Sequence, residues 1–147
     1  MGALTLPAAG KVYADAQVFI YTVENHAIYQ PILRPLWQSI QAGSLTAISS
    51  ELTMMESLIG PFKRNDLTLV GTFDQFFQQP GISFVGITTL ILREAARLRA
   101  ATKLRTPDAI HLATAVFTGC VLFITNDMSF RGVVNLPVIF LDDLLKP

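Results

Sequence analysis

The stretch at residues 106–127, TPDAIHLATAVFTGCVLFITND, decides the fold, because it joins an apolar helix to an apolar strand through a short turn. Thr106 can cap the helix, Pro107 suits its first position, and Gly119 marks its end. The run VLFIT (121–125) that follows has the length and continuous apolarity of a strand buried on both faces. Such a strand is typical of a parallel sheet that is covered by helices.

The same alternation of strand and helix extends over the rest of the chain. Four more runs have strand length: KVYAD (11–15), SLTAIS (44–49), ISFVGI (82–87) and VIFL (138–141). Apolar residues recur with the spacing of a helix over residues 16–25, 28–42, 50–63, 66–78, 88–103 and 107–118. This order predicts one three-layer α/β/α domain over residues 1–147, with a mostly parallel central sheet.

Composition narrows the class of protein. Of the 147 residues, 51% are hydrophobic and 15% are charged, which excludes a disordered chain. The formal net charge is zero, so a nucleic-acid-binding function would need a local basic patch. Polar residues and Gly119 interrupt the longest apolar span, and the first residues are expected to make a poor signal peptide. With a single cysteine, these features predict a cytoplasmic protein outside the membrane.

Several carboxylates fall where strands end. Asp15 closes the first strand, Asp127 follows VLFIT by two residues, and Asp108 lies at the start of the helix before that strand. The carboxyl ends of parallel strands meet at one edge of a sheet, where sites gather. Asp108 has an ordinary alternative explanation, because acids favour helix N-termini.

Glu56 is the fourth candidate. Leu52, Glu56 and Ile59 are spaced to share one helix face, which we expect to point inward or toward a cleft. A capping box formed by Thr53 and Glu56 is the alternative, but a helix that begins at Ser49 or Ser50 leaves Glu56 too far along for it.

Four acids in one cleft would destabilise the fold unless a cation compensates their charge. Oxygen ligands alone suit Mg²⁺ or Mn²⁺, whereas Zn²⁺ prefers histidine or cysteine, which here lack ligand spacing. His111 follows Asp108 by three residues, and we expect a partly buried polar contact rather than a ligand.

With its acids in this order, the chain resembles the PIN-domain family of nucleases, especially the toxins of VapBC toxin–antitoxin pairs. The resemblance runs from about residue 12 to residue 145 and rests on VYADAQVFIYTVE, ISSELTMMESLIGP, TPDAIHLATA and FITNDMSFR. It implies a ribonuclease that uses Mg²⁺ or Mn²⁺, with Asp15, Glu56, Asp108 and Asp127 as catalytic metal ligands. It also implies a homodimer, an RNA substrate and a small antitoxin as partner.

Three polar residues are expected to support the acids. Gln17 stands where the family commonly has asparagine and keeps the amide with a longer reach. Thr125 and Asn126 match the family's polar lead-in to the fourth acid, and Thr125 can hydrogen-bond a ligand carboxylate. An ordinary hydroxyl at the end of a strand is the alternative for Thr125, and a solvent-facing side chain is the alternative for Gln17.

The basic patch that RNA binding requires is expected just before Asp108 and near the C-terminus. Its candidates are Arg93, Arg97, Arg105 and Arg131. A solvated helix face in which Glu94 lies among the bases explains the first two equally well.

A catalytically silent PIN-fold module that binds protein or RNA remains open, although the four acids disfavour it. A receiver-type signalling domain fails, because Asp15 has no acidic neighbour and Lys146 lies in the tail.

Overall fold

A computed structural model describes residues 2–133 and 135–147 of the chain. Five strands form one sheet in the order β3-β2-β1-β4-β5, and every pair of neighbours is parallel. The strands are β1 (Gly10–Ala14), β2 (Leu45–Ser50), β3 (Ile82–Val85), β4 (Leu122–Thr125) and β5 (Val138–Phe140). The predicted parallel sheet is therefore confirmed.

Helices cover both faces of the sheet. They are α1 (Ala16–Val23), α2 (Tyr29–Gln41), α3 (Leu52–Lys63), α4 (Leu67–Phe77), α5 (Thr89–Ala101) and α6 (Thr106–Phe117). Two short 3-10 helices span Met128–Phe130 and Leu141–Leu145. Among the described residues, every helix is too short or too polar to cross a lipid bilayer.

Alternation along β1 divides the interior into two cores. Val12 and Ala14 point toward α1, α2 and α4, while Tyr13 points toward α5 and α6. All three side chains are inaccessible to solvent. The sheet is thus the middle layer of three, as the continuous apolar strand sequences predict.

The start of α6 differs from the prediction. Arg105 holds the N-cap position, so Thr106 is the first helical residue and Pro107 the second. Thr106 is no cap; its hydroxyl accepts a hydrogen bond from the Arg99 guanidinium at 2.9 Å. At the other end, Gly119 has a φ of +73°, which is the left-handed geometry expected after a helix.

Candidate active site

A cleft of about 250 Å³ opens at the carboxyl edge of the sheet. Its lining includes all four predicted acids: Asp15, Glu56, Asp108 and Asp127. They come from the ends of β1 and β4, the middle of α3 and the first turn of α6. Chain crossovers bring together acids that are far apart in sequence, as the rule for strand ends predicts.

Asp15 is the most deeply placed of the acids, with 5% of its surface exposed. It directly follows β1 and caps α1, accepting a hydrogen bond from the Val18 amide at 3.4 Å. Burial raises the pKa of Asp15 to about 6, against the opposing hydrogen bond from Thr125, and the charge of Asp127 raises it further. A buried carboxylate that lines a cleft and has a raised pKa is a candidate for a functional site.

Thr125 connects two of the acids. Its hydroxyl donates to the Asp15 carboxylate and accepts from the Asp127 amide, the latter at 3.0 Å. Asp127 then caps the 3-10 helix Met128–Phe130 by accepting from the Ser129 amide at 2.9 Å. The contact that the sequence led us to expect for Thr125 is therefore present.

Asp108 is partly buried in the first turn of α6. Burial raises the pKa of its carboxyl, the charges of Asp127 and Glu56 raise it as well, and a hydrogen bond from the Arg105 backbone lowers it. Burial and the neighbouring acids together therefore outweigh the hydrogen bond from Arg105 in setting the pKa of Asp108.

Glu56 faces the cleft from α3, and 29% of its side chain is exposed. Its Oε1 lies 2.6 Å from Nε2 of His111, whose Nδ1 lies 2.5 Å from the Tyr13 hydroxyl. The sequence pattern predicts only a polar contact for His111 and does not point to Tyr13. Spacing places His111 three residues after Asp108 on α6 and Tyr13 two residues before Asp15, which indicates that both lie near the acids but not that they are linked to Glu56.

The inward face predicted for α3 is partly wrong. Ile59 is 46% exposed, and the buried row of the helix consists instead of Thr53, Ser57 and Pro61. Thr53 is buried, and its hydroxyl lies 2.6 Å from that of Ser49 on β2. The buried row of α3 therefore consists of small residues, and Glu56 lies at the side of that row.

The other two polar candidates, Gln17 and Asn126, differ in whether they reach the cleft. Gln17 is exposed and lines the mouth of the cleft. Asn126 turns away from the four acids: its amide donates to Tyr21 and Asp142, each at 3.3 Å. The expected support of the cleft acids by the Asn126 side chain is therefore not seen.

The arginines do not form the expected patch at the cleft. Arg97 pairs with Glu94 on α5, and Arg131 pairs with Asp143 at 2.9 Å while its guanidinium lies over the Phe140 ring. Arg93 lies beside Glu94 on α5, and exposed Arg105 precedes Asp108 by three residues. Among the described residues that line the cleft, none is one of these four arginines.

The donor chemistry of the cleft fits a hard divalent cation. Four carboxylates supply oxygen ligands, whereas His111 uses both ring nitrogens in contacts with Tyr13 and Glu56. Across residues 2–133 and 135–147, no three acidic, histidine or cysteine side chains converge closely enough to hold one ion directly. In the structure Asp15 is hydrogen-bonded to Thr125, and Glu56 is hydrogen-bonded to His111.

This arrangement matches a known family. The sequence model of the PIN domain matches residues 12–136, and the chain belongs to that family. A search of curated protein sequences finds no match.

Three solved structures share the fold. VapBC2 from Rickettsia felis, bound to a DNA fragment from its promoter, has a TM-score of 0.68 at 16% identity, over 88% of this chain and 97% of the other. A toxin–antitoxin complex from Klebsiella pneumoniae has a TM-score of 0.58 at 22% identity, over 89% and 97%. PAE2754 from Pyrobaculum aerophilum has a TM-score of 0.62 at 16% identity, over 98% and 90%. At these identities the likeness establishes the fold.

Proposed function

We propose that the chain is an endoribonuclease that depends on Mg²⁺ or Mn²⁺ and acts as the toxin of a VapBC-type toxin–antitoxin pair. One observation carries this proposal: four carboxylates from separate segments of the chain line a single cleft in a PIN domain. The raised pKa of Asp15 and of Asp108 supports it, because burial and neighbouring acids disfavour the ionised form of carboxylates that line a cleft.

Asp15, Glu56, Asp108 and Asp127 are the residues that would hold the cation. When bound, a divalent ion of this kind activates water for attack on a phosphodiester and neutralises the charge that grows on the phosphate. The remaining work belongs to the protein. Thr125 fixes the orientation of Asp15, and the Val18 amide restrains the same carboxylate from the start of α1. Burial of Asp15 keeps bulk water from one side of the site.

The partners follow from the same proposal. Two of the similar structures are described as VapBC2 and as a toxin–antitoxin complex, which supports a small antitoxin as the neutralising partner. We further propose RNA as substrate, a homodimer as the assembly and the cytoplasm as the compartment. A catalytically silent PIN module is the alternative, and it would be expected to lack some of the four acids.

RNA cleavage by the purified chain tests the enzyme directly. We expect cleavage in Mg²⁺ or Mn²⁺, complete loss in EDTA, and recovery when either ion is added back. Ca²⁺ should not restore cleavage, because it is larger and accepts looser coordination than the compact octahedral ions. Cleavage at an undiminished rate in EDTA would contradict the metal-dependent mechanism.

Growth of bacteria that express the chain tests its role as a toxin. Expression without a partner should arrest growth with RNA degradation, and the Asp108→Asn variant at the same protein level should permit growth. If the folded wild-type protein leaves growth and every RNA pool unaffected, the silent module becomes the better description.

A further inference from the structure

Tyr13, His111 and Glu56 form a continuous line of hydrogen bonds from the core of the protein to the cleft. Tyr13 comes from β1, His111 from α6 and Glu56 from α3, so the line connects three elements. Tyr13 is inaccessible to solvent and His111 is 4% exposed. The Tyr13 ring also stacks on Phe123 with centroids 4.9 Å apart, which fixes the position of its hydroxyl.

The direction of this line follows from its inner end. The Ser50 backbone N–H donates to the Tyr13 hydroxyl oxygen at 3.1 Å. The hydroxyl proton is then available for Nδ1 of His111, 2.5 Å away. Nδ1 is therefore an acceptor.

The outer nitrogen must then carry the hydrogen. A neutral imidazole with its hydrogen on Nδ1 would place the bare Nε2 against a carboxylate oxygen at 2.6 Å, two acceptors face to face. Hydrogen on Nε2 completes the line, because Tyr13 then donates to Nδ1 and Nε2 donates to Glu56.

We propose that His111, held by Tyr13 with its ring hydrogen on Nε2, is a positioning residue that orients Glu56 for cation binding. This inference rests on the proposed function and adds two residues to its site. The Nε2–H of His111 fixes Oε1 of Glu56, and hydrogen-bond partners of this kind orient metal-ligating side chains. The second carboxylate oxygen of Glu56 remains available to the cleft.

Nitrogen NMR of the metal-free, ¹⁵N-histidine-labelled protein tests the tautomer without any variant at the site. The chain has two histidines, His26 and His111, and the His26→Gln variant assigns their signals. At mildly alkaline pH we expect His111 to show a protonated Nε2 and a bare Nδ1. A protonated Nδ1 in the wild-type protein would overturn the proposal.

Mn²⁺ affinity, measured by electron paramagnetic resonance, tests the positioning role apart from catalysis. Loss of a hydrogen-bond partner to a metal ligand weakens metal binding by about 10–100-fold, and we expect this for His111→Ala. His111→Gln should recover most of the affinity, because its amide N–H₂ reaches about as far as Nε2. Tyr13→Phe should give a mixture of tautomers and an intermediate loss.

Matched controls separate positioning from folding. His26→Gln changes an exposed histidine elsewhere and should leave Mn²⁺ affinity at the wild-type value. If His111→Ala does not fold, His111→Gln and Tyr13→Phe carry the same comparison, each with its melting temperature recorded. Folded His111 and Tyr13 variants that bind Mn²⁺ as tightly as the wild type would overturn the positioning role while leaving the proposed function intact. A wild-type protein that neither binds Mn²⁺ nor cleaves RNA would instead contradict the function itself.

Discussion

The N-termini of α4 and α6 place an aspartate in two different situations. Asp66 is exposed and caps α4, where its carboxylate accepts from the Leu69 amide at 3.0 Å. Asp108 is in the first turn of α6, but it is partly buried and lines the acid cleft. Both positions are favourable for an acid because of the helix dipole.

The difference between them shows which acid the helix alone explains. Asp66 satisfies a backbone N–H of its own helix and faces solvent, so it needs no further role. At Asp108, burial and the charges of Asp127 and Glu56 raise the pKa in spite of the helix N-terminus. A carboxylate retained where its ionised form is disfavoured is a candidate for cation binding.

Replacement of each acid by asparagine tests this comparison with the largest expected effect. Asp108→Asn should reduce RNA cleavage and Mg²⁺ affinity together by at least about 100-fold. Loss of a residue that only hydrogen-bonds to a metal ligand reduces affinity by up to about that factor, and loss of a ligand should cost more. The metal-free variant should hold or gain stability, because like-charge repulsion is relieved. Melting temperature with and without Mg²⁺, measured beside cleavage, records both effects.

Asp66→Asn is the matched control. Asparagine remains a good cap, so stability should fall by roughly 0.3–1 kcal/mol at most and cleavage should persist. An Asp108→Asn protein that cleaves RNA at the wild-type rate would place the two aspartates in the same class and remove Asp108 from the site.

The sequence predicted the fold well because the strands of this sheet are continuously apolar. The prediction is wrong where an apolar run extends beyond the end of a strand. The run ISFVGI predicts a strand over 82–87, whereas β3 ends at Val85. The chain there turns toward α5, whose first turn is capped by Thr88. An apolar residue indicates burial and not strand geometry, and residues just beyond the end of a strand can be partly buried as well.

The site was predicted less completely than the fold. Strand ends located Asp15 and Asp127, but Asn126, just beyond β4, is bonded to Tyr21 and Asp142 and not to the cleft acids. Hydrophobic spacing could not show that the inner row of α3 is small and polar. The link from Tyr13 to Glu56 depends on the packing of three elements, which one-dimensional spacing does not encode.

Asp15 sharpens the comparison because it combines both situations. It caps α1 as Asp66 caps α4, and it lines the cleft as Asp108 does. Its pKa is raised from 3.8 to about 6 in the folded protein, so its contribution to stability is full below about pH 4 and is lost as the pH rises through 6. A shift of this size corresponds to about 3 kcal/mol.

Asp15→Asn should therefore separate from the wild type only as the pH rises. In EDTA, urea unfolding of the two proteins should nearly coincide below about pH 4, and above pH 6 the variant should be more stable by up to about 3 kcal/mol. Saturating Mg²⁺ should stabilise the wild type alone and reduce or reverse the gap. A gap that is the same at every pH would show that Asp15 acts as a simple helix cap, like Asp66.

The smallest expected effect concerns the arginines near the two helix starts. Arg105 is exposed at the N-cap position of α6, three residues before Asp108, whereas Arg64 lies just before α4 and is paired with Glu24 at 3.4 Å. If the cleft binds RNA, Arg105 is placed to contact a phosphate beside it, and Arg64 is already engaged. In a cleavage-deficient Asp108→Asn background, Arg105→Ala should weaken binding of a single-stranded RNA a few-fold and reduce the salt dependence by about 0.7 in log K per log salt, the value for one phosphate contact. Arg64→Ala should change neither quantity. Equal effects from both substitutions would indicate that RNA binding depends only on the overall charge of the protein. The start of α6 would then contribute Asp108 to cation binding, and Arg105 would not contribute to RNA binding.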